Sequence, residues 1–80
     1  MDPGWKCQIL FVPVRTSQLG LVVLRMGRLM SGQQVGLAFS SAASLLAALG
    51  PCQPWIVLHE RAMRDLLEPI GVAQIRIDAR

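Results

Sequence analysis

Residues 35–78 read VGLAFSSAASLLAALGPCQPWIVLHERAMRDLLEPIGVAQIRID, and this stretch carries one plan twice: an apolar strand, a turn, an amphipathic helix, and a return to a strand. Residues 35–39 alternate in strand fashion, with Val35, Leu37 and Phe39 on one side and Gly36 and Ala38 on the other. The larger side chains make the first side the one expected to press against helices. Ser40 or Ser41 then offers a hydroxyl to cap a helix, AASLLAAL follows, and Gly50 with Pro51 supplies the stop.

Residues 55–58, WIVL, form a short continuous apolar run that fits a central strand covered on both faces. From about residue 59 to 68 a second helix is expected, with Ala62, Met63, Leu66 and Leu67 on its apolar side and Glu60 placed to pair with Arg64. Pro69 and Gly71 end it. Residues 73–78 alternate again, Ile75 and Ile77 inward and Gln74, Arg76 and Asp78 outward.

Upstream, residues 1–7 read as a loose entry and residues 8–14 (QILFVPV) as a strand, with Pro13 directing it to an edge or marking its end. Residues 19–30 (LGLVVLRMGRLM) read as one further strand, and residues 30–34 supply a hairpin loop. The expected fold is therefore a single mixed α/β domain over residues 1–80. It has a five-stranded mixed sheet and two helices, in the order βββαβαβ and in two layers. Right-handed crossovers place both helices on one face of that sheet and leave the other bare.

Composition limits function. Eighty residues hold one small core, and 52% hydrophobic against 16% charged residues is too apolar for a disordered segment. The same excess of apolar residues points to a covered surface, either by a protein partner or by a second copy in a homodimer. The net charge of +3 comes from Lys6 and seven arginines spread along the chain, with no Tyr, so nucleic-acid binding is a minor reading. Cys7 and Cys52 lack metal or redox spacing and read as reduced thiols, as in a cytoplasmic protein. Asp2 and Pro3 argue against a secretion signal at the start. The uncharged stretch of residues 29–58 is broken by Gly, Pro, Ser and Gln too often for a membrane span.

No nucleophile with a spaced base, metal-ligand cluster or phosphate loop stands out, so no catalytic residue, cofactor or metal is expected. His59 beside Glu60 is the one general-base candidate, and with Ser41 it marks the alternative of a ligand or catalytic site at strand ends. Capping and surface roles explain both residues more simply, because neighbours on a helix do not face each other. The bare sheet face is the expected interaction surface, with Ala38, Trp55, Val57 and Arg76 as its residues.

Four segments carry a resemblance: FVPVR at 11–15, VGLAFSS at 35–41, LGPCQPWIVL at 49–58 and LLEPIGVAQIRIDAR at 66–80. Over residues 9–80 the chain resembles the SseB-like N-terminal domain, particularly its short stand-alone bacterial members. In that family the corresponding pattern is V-P-V in a strand, A-F-T-S before a helix, P-W-V or P-V in a strand, and G-V-x-x-L-x-I-(D/N)-P at the end. Ala42-Ala43 replaces the usual Pro-Glu, and Ala79 replaces the final Pro. The resemblance implies the fold and a non-enzymatic binding or regulatory module, some relatives being attached to secretion-system loci. It implies no reaction and no catalytic residues.

Overall fold

The computed structural model describes residues 8–78; the loose entry with Cys7, and Ala79 and Arg80, lie outside the described residues. It is a mixed α/β fold with strands β1 (Ile9–Thr16), β2 (Val22–Leu24), β3 (Met26–Arg28), β4 (Gln34–Ala38), β5 (Trp55–His59) and β6 (Ile75–Ile77). Helix α1 (Ala42–Leu49) lies between β4 and β5, and helix α2 (Glu60–Leu67), extended by a 3-10 turn (Glu68–Ile70), lies between β5 and β6. The strands form two three-stranded sheets, β2-β1-β5 and β3-β4-β6, rather than one sheet of five. The order is accordingly ββββαβαβ, with one more strand ahead of α1 than expected.

The extra strand has a local cause. The run at residues 19–30 is interrupted at Arg25, which stands opposite Pro13 in the register that pairs Val14 with Leu24. Arg25 donates its N–H to the Pro13 carbonyl at 2.9 Å, and Pro13 has no N–H to return. The ladder lapses there, and beyond it β3 pairs with β4 instead of β1. Pro13 thus sits inside a central strand, contrary to the edge expected of it. It is tolerated because β1 changes neighbours at this point. Two residues earlier the Phe11 and Phe39 backbones exchange two hydrogen bonds of 2.8 Å, which join the sheets.

The apolar run of β5 also takes a different place. It pairs antiparallel with β1 and forms an edge of its sheet, not the centre. β6 pairs parallel with β4, so the two crossovers do not step across a single sheet and the one-bare-face arrangement does not arise.

The core is built on the Gly36 and Ala38 side of β4, the reverse of the assignment drawn from side-chain size. Ala38 is fully buried with Leu10, Val12, Met63, Leu67 and Val72. A Cβ on Gly36 would lie 2.8 Å from Leu67 Cδ1 and 3.1 Å from Met63 Cε, so α2 packs directly against the glycine backbone. Burial of Met63 and Leu67 stabilises the fold by roughly 1.5–3 kcal/mol each. Val35 and Phe39 are buried on the opposite side of β4, which is therefore covered on both faces. Helix α1 contacts β1 and buries Leu45 completely.

Candidate functional site

The two serines and the histidine are occupied or isolated. Ser41 is the N-cap of α1, its Oγ accepting the Ser44 N–H at 3.1 Å and donating to Ser44 Oγ. Ser40 donates its N–H and its hydroxyl to the carboxylate of Asp78, at 2.9 and 2.7 Å. His59 ends β5 and stands at the N-cap of α2 with an exposed side chain that makes no capping hydrogen bond. Neither serine hydroxyl is hydrogen-bonded to an imidazole: Ser41 bonds Ser44 and Ser40 bonds Asp78. Among the described residues no group of three or more His, Cys, Asp or Glu side chains could hold a metal ion. Cys52 is a free, exposed thiol.

Of the four expected interaction residues, Ala38 is in the core and is withdrawn from any surface. Trp55 and Val57 lie on one face of β5, 37% and 49% exposed, with Trp55 edge-on to Phe11 at a ring-centroid distance of 5.3 Å. Arg76 is exposed on β6, in register with Leu37, in the other sheet. The structure therefore gathers Trp55 and Val57 and leaves Arg76 elsewhere.

The arginines do not converge either. Those described are spread over β1, the β2–β3 link, β3, α2 and β6, and several are tied locally. Arg25 donates to Gln53 Oε1, Arg28 to the Gly32 carbonyl at 2.8 Å, and Arg64 forms an ion pair with Glu60 at 2.8 Å.

An open apolar groove of about 570 Å³ lies between the β2–β3 strand and α2. Val22, Leu24 and Met26 line it from the strand, Leu66 and Ile70 from the helix, and Gln34 is its one polar lining residue. Val22, Leu66 and Ile70 are 61%, 54% and 61% exposed. Leu66 is on the apolar side of the helix with Leu67, as expected from the sequence, yet it is exposed. The adjacent pair sits about 100° apart on the helix; Leu67 takes the inward position, Leu66 turns to the groove, and Ile70 of the following 3-10 turn lies beside it.

Beside the groove runs an unpaired strand edge. Arg25 bonds toward β1, through Pro13, and Leu29 bonds across the β3–β4 hairpin, to the Gln33 carbonyl. Odd-numbered residues of this strand therefore turn their backbone groups toward β1 and β4. Val22, Leu24, Met26 and Arg28 turn theirs the other way. Both β2 and β3 end their sheets, so among the described residues that side carries no neighbouring strand.

No protein-family model, curated protein or solved structure matches the chain. No helix among the described residues is long and apolar enough to cross a membrane.

Proposed function

We propose that this chain is a non-enzymatic protein-interaction module that receives an extended polypeptide segment on the β2–β3 edge. Alternate side chains of that segment enter the groove against α2. The observation that carries this reading is the coincidence of an edge at residues 22–28 that is unpaired among the described residues with a groove lined by the exposed apolar side chains of Val22, Leu66 and Ile70. Strand addition needs both parts: backbone groups give affinity, and pockets for every second side chain give selectivity. The groove is large enough for a small molecule. A small-molecule site, however, fixes its ligand with several convergent polar groups, and this lining offers only Gln34. That weighs against the alternative of a ligand or catalytic site, as do the committed hydroxyls of Ser40 and Ser41. The resemblance to the SseB-like domain supports a binding module in the same direction.

The experiment is selection of random linear peptides displayed on phage, followed by amide-shift mapping of the winners. Peptides should shift Val22–Arg28 and α2 and lose roughly tenfold or more in affinity for Leu66→Glu and Ile70→Glu. Winners that map to Ser41 and His59, untouched by those substitutions, would reinstate the ligand-site reading.

A further inference from the structure

We infer that the segment received by the β2–β3 edge is the same edge of a second copy of the chain, paired antiparallel about a two-fold axis through Leu24. This rests on the interaction reading above and names its partner. Natural edge strands are guarded by charge, proline or a bulge. Here the outward-turned positions Val22, Leu24 and Met26 carry none of these, and the Arg25 side chain is held by Gln53.

The choice of a second copy follows from register. Across a two-fold axis, directly opposed residues have numbers with a fixed sum, so the registers can be compared one by one. With the axis at Leu24, Val22 meets Met26, Leu24 meets its own counterpart, and Val23 meets Arg25. Every opposed pair on the groove side between Val22 and Met26 is then apolar, and the grooves of the two copies join. Arg28 falls past the start of β2, level with Gly20 of the β1–β2 turn, and so meets no like charge. With the axis at Arg25, that residue opposes its own copy in a close pair and Val22 meets Arg28; like charges directly opposite are destabilising. With the axis at Met26, Leu24 meets Arg28. With the axis at Val23, Val22 meets Leu24 but Met26 falls level with Gly20 of the turn and loses an apolar partner. Only the Leu24 axis opposes Val22, Leu24 and Met26 entirely to one another, and it leaves Arg25 and Arg28 in their internal bonds to Gln53 and Gly32. In that register the apolar edge complements itself.

The test combines light scattering with disulfide trapping in a Cys7→Ser, Cys52→Ser background. The parent chain should show a dimer mass over a micromolar concentration series. Val22→Pro removes an N–H that β1 does not use, so it should retain the native circular dichroism while weakening the dimer roughly tenfold or more. Leu24→Cys should oxidise to a covalent dimer, Met26→Cys alone should not, and a mixture of Val22→Cys with Met26→Cys should cross-link. A mass that stays monomeric at every concentration overturns the inference. So does a dimer indifferent to Val22→Pro, or one trapped through Met26→Cys alone. A monomer that still binds selected peptides at this edge leaves the interaction module standing without its second copy; loss of both removes the module as well.

Discussion

Asp78 ties the end of β6 to Ser40, just past β4, through two side-chain hydrogen bonds that span 38 residues of sequence. Its own N–H is donated to the Ala38 carbonyl at 2.9 Å, so one residue closes the parallel pair from both backbone and side chain. It does so at φ 58°, in the left-handed region that Asp tolerates better than most residues. The contact also settles which serine caps α1. Ser40 is held by Asp78, and Ser41 is free to accept the Ser44 N–H.

Asp78→Ala removes these side-chain bonds and leaves an alanine in a left-handed conformation, so it should destabilise the fold by roughly 1 to 2 kcal/mol. Asp78→Gly removes the bonds but not the conformation and should lose less. Urea midpoints of the two variants measure the difference; equal midpoints would show that the backbone conformation contributes nothing.

Gly36→Ala and Gly27→Ala place a methyl at equal nominal distance, 2.8 Å, from a leucine side chain. Their consequences should differ. Gly36 meets Leu67, which is 1% exposed and held in the core, so relief requires α2 to move, and a loss of roughly 1 to 3 kcal/mol is expected. Gly27 meets Leu37, which is half-buried and can turn aside. Thermal unfolding of both variants gives the ranking, and a Gly27 variant as unstable as the Gly36 variant would contradict it.

The boundaries of α1 were legible because each has a residue that acts locally. Ser41 caps α1, Gly50 turns out of it, and Ala42–Leu49 is the helix read from the sequence. The faces of β4 were not. Side-chain size stood in for burial there, yet Gly36 and Ala38 are small because Met63 and Leu67 of α2 fill the space above them. Strand order was hidden for another reason: it depends on which distant strands meet, as in the Phe11–Phe39 pair, and no short window of sequence contains that. The groove was missed likewise, since its two walls, Val22 to Met26 and Leu66 to Ile70, lie far apart in the chain.

Gly50 leaves α1 at φ 104° and ψ 156° while its N–H is donated to the Leu46 carbonyl at 2.8 Å. That pair of angles is essentially reserved for glycine. Gly50→Ala should therefore destabilise by roughly 1 kcal/mol or more, although a Cβ would meet no neighbouring atom. A urea midpoint equal to that of the parent would mean that the helix exit relaxes without penalty.

His59 and Ser41 provide the sharpest contrast between a structural and a chemical role. Ser41→Ala removes the hydroxyl that accepts the Ser44 N–H, and loss of such a cap destabilises a helix by roughly 1 kcal/mol. His59→Ala removes an exposed side chain with no capping bond, at a position where the backbone alone begins α2, so its effect should stay within about 0.5 kcal/mol. The double variant should equal the sum of the two, because nothing joins the side chains and independent sites add. Binding of the selected edge peptides should be unchanged in the His59 variant, since the groove is lined by Val22, Leu66 and Ile70 and does not include it. A chemical role would reverse this pattern: His59→Ala would abolish a measurable activity in a protein with an unaltered urea midpoint, and Ser41→Ala would abolish the same activity with no further loss in the double variant.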